Sequence, residues 1–140
     1  MINVKATPLY SEVIKELNYP FGNIFIFKGF VVAEINRGVN YTWDNHARLV
    51  TEDISCFLGT NGDDLIYISN RVYPYSVVPS DWPKFYNSKF DLKEYCIVSD
   101  SKLGKLCVLV ENLFLRIKIK HFNNLYNAVN FVKKGMNEVA

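Results

Sequence analysis

The chain has 140 residues, of which 49% are hydrophobic and 21% charged, which is the composition of one globular domain and not of a disordered protein. Its 16 basic and 14 acidic residues nearly balance, and a net charge of +2 argues against the basic surface typical of nucleic-acid binding. No apolar run approaches the roughly 18 residues of a membrane span, and the N-terminal segment lacks the apolar core of a secretory signal.

The cysteines and histidines do not form a recognisable catalytic or metal motif. Cys56, Cys96 and Cys107 lack Cys-x-x-Cys spacing, and two of them lie in apolar runs, which favours buried thiols in a reducing compartment. His46 and His121 are expected to face solvent, away from any cysteine or carboxylate cluster. We therefore expect a cytoplasmic, non-enzymatic protein without cofactor or metal.

The first predicted elements are an ambiguous segment, a hairpin and a helix. Residues 9–17 have apolar side chains at helical spacing but also a β-rich run, so helix and edge strand both stay open. Two β-rich runs, 23–27 and 30–35, are joined by a short link with a glycine, which predicts a β-hairpin. Between Thr42, a suitable N-cap, and Gly59, a suitable C′ residue, apolar side chains at spacings of three and four predict a helix.

Three strand–helix units are then predicted. The strands lie at 65–69, 95–99 and 116–120. The helices lie at 80–86 with Ser80 as N-cap, at 101–114, and from Asn123 or Asn124 onward. For 106–110 a strand is the alternative to helix. Alternating strands and helices predict an α/β domain: an opening β-hairpin, then a mixed, mostly parallel sheet with helices packed on it.

This order of elements resembles the STAS domain family, the fold of bacterial anti-sigma-factor antagonists. The segments that carry the likeness are 21–35, 43–58, 65–69, 95–99 and 118–132. Within them, 21–22 with 30–38, and 67–71, look like small single-domain STAS-like proteins of Bacteroidetes-type bacteria. The resemblance implies a single STAS-like domain over residues 1–140, with a regulatory role exerted through a protein partner.

The resemblance also implies candidate phosphorylation sites. In the antagonist family a serine in an Asp-Ser-Ser-Gly-like turn follows the third strand and is phosphorylated by a partner kinase. This chain departs from that pattern, because Ser69 is followed by Asn-Arg-Val and no such tetrapeptide. The nearest counterparts of the modified serine are Ser69, Ser76 and Ser80.

Polar side chains follow the predicted parallel strands, where ligands of open sheets collect. Arg37 follows the hairpin, and Ser69, Asn70 and Arg71 follow the next strand. Two converging arginines with small polar groups would bind an anion or a partner carboxylate. The alternative is that these residues only cap helices and turns. Arg71 has no acidic residue near it in sequence.

The connection 72–79 is unusually apolar and aromatic for a loop. Tyr73, Tyr75 and, just beyond, Trp82 favour an interaction patch or a ligand lid, unless the loop folds over the sheet and completes the core. Two functions follow: a regulatory module contacting an unidentified protein through 69–82, or a domain that binds a small apolar (lipid-like) or anionic ligand in an aromatic cleft. Apolar strand edges leave a homodimer open.

Overall fold

The computed structural model describes residues 2–100, 111 and 119–139, with side-chain surroundings as far as residue 136. Its strands are β1 (Lys15–Tyr19), β2 (Gly22–Phe27), β3 (Phe30–Ile35), β4 (Asn40–Tyr41), β5 (Ile66–Asn70), β6 (Ser76–Val77), β7 (Glu94–Val98) and β8 (Ile119–Phe122). Its helices are α1 (Arg48–Leu58), α2 (Trp82–Tyr86) and α3 (Leu125–Val139). The predicted α/β class is confirmed.

Six strands form one mixed sheet in the order β1-β2-β3-β5-β7-β8. The first three pair antiparallel, which confirms the predicted hairpin and adds β1 at its edge. From β3 onward each strand of this sheet pairs parallel with its neighbour, so the three predicted strands run in one direction, the last of them described from Ile119 to Phe122. β4 and β6 form a separate parallel pair. The predicted helix at 101–114 and the alternatives at 106–110 lie outside the described residues, except for Glu111.

The ambiguous segment 9–17 divides between two structures. A 3-10 turn spans Pro8–Glu12, and the chain then becomes extended at Val13 and enters β1. β1 pairs with β2 from Lys15 to Tyr19, so its backbone hydrogen bonds settle what periodicity over a short span left open.

The helix between Thr42 and Gly59 is confirmed together with both caps. Thr42 Oγ1 accepts the backbone N–H of Asn45, and a single π-helical turn, Trp43–Ala47, leads into α1. Gly59 ends the helix with φ of 73°, a left-handed backbone that glycine adopts without steric cost.

Ser80 is not an N-cap, and that prediction is wrong. A 3-10 turn begins at Pro79 and runs to Asp81, so Ser80 lies inside it and α2 starts only at Trp82. Proline is favoured at the first helical position because its φ is already helical, which moves the start of the turn ahead of the serine.

The sheet is covered on both faces, which explains its continuous apolar strands. We call the side packed against α3 the α3 face. Its buried residues are Phe25, Phe27, Phe30, Val32, Ile66, Ile68, Cys96 and Val98, beneath Leu125, Ala128, Val129 and Val132 of the helix. We call the other side the α1 face. Its buried residues are Ile24, Ile26, Val31, Ala33, Leu65, Tyr95, Ile97 and Ile119, with Val50 and Ile54 of α1 above them and Trp82 of α2 packed over the β7 end.

Candidate functional site

The α1 face contains an apolar cleft with a volume of about 100 Å³. Its floor is the sheet, through Tyr67 and Tyr95, and α1 forms one wall. The opposite wall comes from β6 and α2. The lining side chains are mostly apolar or aromatic and include Trp43, Val50, Ile54, Val77, Trp82 and Phe85. The cleft lies between α1 and α2, which both pack on this face of the sheet.

Aromatic rings hold the α2 side of the cleft in place. Tyr67 and Tyr95 stack on neighbouring strands with ring centroids 5.5 Å apart, and Trp82 meets Tyr95 edge-on at 5.1 Å. Phe85 packs edge-on against both Trp82 and Trp43, at 5.6 and 5.9 Å. Edge-to-face contacts at these separations are favourable, and they fix the orientation of each ring.

The apolar loop 72–79 lies between the two predicted alternatives, because Val77 and Val78 line the cleft whereas Tyr73 is 40% exposed and no residue of the loop belongs to the buried core. β6 within it pairs with β4, and the backbone N–H of Val78 bonds the carbonyl of Tyr41 at 3.3 Å. Asp81 then ties the loop to the start of α1, because its Oδ2 accepts the backbone N–H of Trp43 at 2.8 Å. The loop therefore builds a wall of the cleft, and Tyr75 and Trp82 face inward.

One buried polar atom of the cleft lacks a partner. Trp82 Nε1 is inaccessible to solvent, and no oxygen of the described residues accepts its hydrogen. Burial is the main cause that raises the pKa of the Tyr41, Tyr67 and Tyr95 hydroxyls above the usual tyrosine range. These phenols of the cleft are therefore neutral.

A buried ion pair lies behind the tyrosines. Arg71 Nη2 donates to Glu111 Oε2 at 2.8 Å, and the side chains are 7% and 1% exposed. The same guanidinium donates to Ser69 Oγ at 3.1 Å and to the Tyr95 hydroxyl at 3.3 Å, and it lies over the ring of Tyr75. No local spacing marks Glu111 as the partner of Arg71, because it lies forty residues further along the chain.

Asn70 lies on the opposite face from its two neighbours. Its Nδ2 donates to Glu34 Oε2 at 2.8 Å and to the carbonyl of Ile2 at 3.1 Å. The backbone N–H of Val4 also donates to Glu34 Oε2, at 2.8 Å. Burial raises the pKa of Glu34, although the hydrogen bonds that its carboxylate accepts from Val4 and Asn70 oppose the shift. The alternation of side chains along β5 thus divides the predicted Ser69–Asn70–Arg71 group between two clusters.

The two arginines of the expected anion site lie in different surroundings. Arg37 is exposed and its guanidinium lies 5.3 Å from the ring centroid of Tyr73, which is itself 40% exposed. Arg71 is buried and paired with Glu111. Arg37 and Tyr73 are therefore the members of the predicted site that remain at the surface as a stacked pair.

The three candidate serines differ in accessibility. Ser69 is 1% exposed, and its hydroxyl lies 2.7 Å from the hydroxyl of Tyr75. Ser76 and Ser80 are exposed. A kinase would reach the latter two in the folded protein, whereas Ser69 is protected by the packing of its neighbours.

The histidines are half-buried, and the expectation that they face solvent is wrong. His46 packs edge-on against Phe21 at 4.7 Å, its Nδ1 accepts the N–H of Thr42, and burial lowers its pKa. His121 Nε2 lies 2.8 Å from the carbonyl oxygen of Ser99. Within the part of the chain that the structure describes, no three His, Cys, Asp or Glu residues are grouped to hold a metal ion.

The cysteines differ from one another. Cys96 is buried, and burial raises the pKa of its thiol to about 12, whereas Cys56 is exposed. Cys107 lies outside the described residues.

No family model, curated protein or solved structure matches this chain in comparisons with known proteins. None of the helices described above is long and apolar enough to cross a membrane. The geometry of the cleft is therefore the basis for assigning a function.

Proposed function

We propose that this domain binds a small molecule with an apolar body in the cleft of the α1 face. The observation that carries the proposal is the cleft itself, which is concave, lined mostly by apolar and aromatic side chains, and supplied with few polar groups. Small-molecule sites in proteins have this composition. The proposal is the second of the two functions that the sequence supported, a ligand-binding domain with an aromatic cleft.

The size of the cleft limits the ligand. An apolar cavity of about 150 Å³ stays dry and takes up benzene. A cleft of about 100 Å³ is of the same order, so its occupant has a compact body such as one ring or a short branched chain. A long acyl chain would leave most of its length outside.

The direction of the side chains favours a ligand over a flat protein contact in this region. Ser69, Arg71 and Trp82 were predicted as contact residues, but the side chains of Ser69 and Arg71 are buried and that of Trp82 is partly buried. Residues turned toward the interior contribute to a cavity wall more readily than to a partner surface.

The proposal is tested by following tryptophan emission while toluene or cyclohexane is added. Both tryptophans of the chain line the cleft, so their emission reports on it directly. We expect a saturable change in the wild type. Thr51→Phe, which places a ring at the cleft wall, should weaken the response, whereas Leu49→Phe on the exposed side of α1 should leave it unchanged. If the folded wild type shows no saturable change with either compound, the proposal is wrong.

A second candidate is a regulatory contact with a protein, supported by the exposed pair of Arg37 and Tyr73. Arginine and tyrosine are enriched at the energetic centres of interfaces. An affinity pull-down with the wild type and with Arg37→Ala/Tyr73→Ala should then recover a protein with the wild type alone. Recovery of the same proteins by both would argue against this surface.

A further inference from the structure

We infer that His46 is a pH-sensitive lock on one wall of the cleft: its neutral imidazole holds the backbone of Thr42 at the start of the α1 segment, and its protonated imidazole releases it. His46 is a positioning residue here, because it acts on the cleft through Thr42 and Trp43, which line it. The inference rests on the proposed function and deepens it, because it adds a regulation of the same cleft by pH.

The lock is a pair of reciprocal hydrogen bonds at the start of the helical segment. Thr42 Oγ1 accepts the backbone N–H of Asn45 at 3.2 Å, and His46 Nδ1 accepts the backbone N–H of Thr42 at 2.9 Å. In a capping box a glutamate or glutamine side chain reaches back to the N-cap N–H in the same way. Here a histidine takes that role, four positions after the N-cap and within the π-helical turn Trp43–Ala47.

The donor in the second bond fixes the protonation state of the ring. A backbone N–H can only donate, so Nδ1 of His46 is an unprotonated acceptor and the hydrogen of the neutral ring lies on Nε2. Protonation would place a hydrogen on Nδ1, facing the N–H of Thr42, and this hydrogen bond would be lost. A part-buried N–H without its acceptor destabilises the turn to which it belongs.

The second histidine of the sequence, His121, provides a contrast. Its Nε2 lies 2.8 Å from the carbonyl oxygen of Ser99, which can only accept. That nitrogen therefore carries a hydrogen in both the neutral and the protonated ring, and protonation keeps the bond. His46 and His121 form a matched pair in which protonation breaks the bond of His46 and not that of His121.

The aromatic surroundings of His46 favour its neutral form. Its ring stacks on Tyr41 of β4 at 5.4 Å and meets Phe21 of the β1–β2 turn edge-on at 4.7 Å. Burial lowers the pKa of His46, and the backbone of Thr42 offsets this shift only in part. Tyr41, the titratable ring in direct contact, is neutral because burial raises its pKa.

The ionisable side chains of the elements around His46 are already paired with one another. They are Asp44 with Lys84, Arg48 with Glu52, and Tyr19 with Asp53, at 3.3, 3.7 and 2.6 Å. The pH effect expected at this turn therefore comes from the imidazole itself and from its bond to Thr42.

The sign of the pH effect follows from the lowered pKa of His46. In the released turn the histidine is exposed and has an ordinary pKa. The locked state is therefore fully favoured above the ordinary histidine pKa, and it loses stability as the pH falls through the lowered pKa. Because Thr42 and Trp43 line the cleft, a ligand that contacts this wall should bind more weakly in acid.

Amide hydrogen exchange at Thr42 tests the lock directly. Between about pH 7.5 and about pH 5 we expect the protection factor of this amide to fall by about 3- to 10-fold in the wild type. His46→Gln cannot be protonated and keeps a side-chain acceptor, so its protection factor should be the same at both pH values. His121→Gln should keep the fall seen in the wild type. Circular dichroism confirms that both variants are folded.

Toluene binding, followed by tryptophan emission, tests whether the lock acts on the cleft. Toluene has no ionisable group, so a change of its dissociation constant with pH comes from the protein. We expect the dissociation constant to be about 2- to 5-fold higher at the acidic pH in the wild type and in His121→Gln, because only the locked wall binds well. In His46→Gln the dissociation constant should be the same at both pH values.

The outcomes separate the lock from the proposed function. If Thr42 keeps its protection in acid, or if His46→Gln shows the same fall as the wild type, the inference is wrong. If the protection falls but toluene binds equally at both pH values, His46 does not regulate the cleft, and the inference is wrong while ligand binding stands. If toluene binds at neither pH, the proposed function fails, and the regulation of the cleft fails with it even where the protection of Thr42 falls.

Discussion

The two faces of the sheet are built from different kinds of side chain. The α3 face is filled by aliphatic and phenylalanine side chains such as Phe25 and Ile68, which are 0% exposed. The α1 face carries Tyr67, Tyr95 and Trp82, whose polar atoms need partners and whose rings leave a cleft. One face stabilises the domain by close packing, and the other combines packing with a place for a ligand.

A single strand supplies a polar anchor to each face. At the end of β5, Asn70 bonds Glu34 on the α3 face, and Arg71 pairs with Glu111 beyond the α1 face. Consecutive residues thus support opposite layers, because side chains alternate along a strand. The carboxyl end of β5 therefore ties the two layers together, although the layers themselves are packed differently.

The largest effect is expected from Arg71→Ala. Removing this arginine leaves Glu111 buried without its counter-charge, and the free energy of unfolding should fall by about 3–5 kcal/mol in a urea titration. The double variant Arg71→Met/Glu111→Met removes both charges and should recover much of the loss. A double variant as unstable as the single one would mean that the hydrogen bonds of Arg71 matter more than the pairing.

A matched pair of isoleucines compares the packing of the two faces. Ile68→Ala creates a cavity in the close-packed α3 face and should cost about 4 kcal/mol. Ile54→Ala removes a side chain that already borders the cleft, so a loss of about 2 kcal/mol is expected. Equal losses in chemical denaturation would show that both faces are packed alike.

The buried carboxyl of Glu34 is expected to make the stability of the protein depend on pH. Burial raises its pKa in the folded state, so the folded protein holds this proton more tightly than the unfolded chain. The contribution is fully present below the ordinary glutamate pKa and is lost as the pH rises through the raised value. The Glu34→Gln variant has no ionisable group at this position. The difference in melting temperature between the variant and the wild type should therefore increase, in favour of the variant, from pH 4 toward neutrality.

Glu52→Gln is the matched control for this titration. Its carboxylate is exposed and pairs with Arg48 at 3.7 Å on the surface of α1, where such pairs contribute little. The melting temperature of this variant should follow that of the wild type at every pH. A Glu34→Gln variant that also follows the wild type would contradict the expected role of the buried carboxylate.

The smallest effects are expected at the helix caps. Thr42→Ala removes the side-chain cap at the start of the α1 segment and should cost about 1 kcal/mol, with faster amide exchange in α1 alone. Asn124 caps α3, because its Oδ1 accepts the backbone N–H of Asn127 at 2.8 Å, and Asn124→Ala removes this cap. Exchange should then increase in α3 and not in α1. Changes spread over both helices would mean that the faces open together.

Much of the fold was predictable because its signals are local. The hairpin and the helix from Thr42 to Gly59 each depend on residues within a few positions of one another. The segment 9–17 was not predictable, since a short edge strand with charged residues carries little pattern. Ser80 was misassigned because Pro79 starts a turn one residue earlier.

The candidate site was predictable only in part. An aromatic cleft was one of the two expected functions, and Tyr75 and Trp82 were among its residues. The partner of Arg71 was not predictable, because Glu111 reaches it through the folded chain and no local spacing marks it. The different surroundings of the two arginines were not predictable either, because Arg37 stacks on Tyr73 at the surface whereas Arg71 pairs with Glu111 in the interior.

The order of the sheet has a consequence for synthesis of the protein. Each strand of the six-stranded sheet, as far as the structure describes it, pairs with the sheet strand that precedes it along the chain. The antiparallel meander of β1, β2 and β3 is complete by Ile35, before any parallel neighbour has left the ribosome. A nascent chain can therefore form this meander first and add the later strands one after another to its free edge.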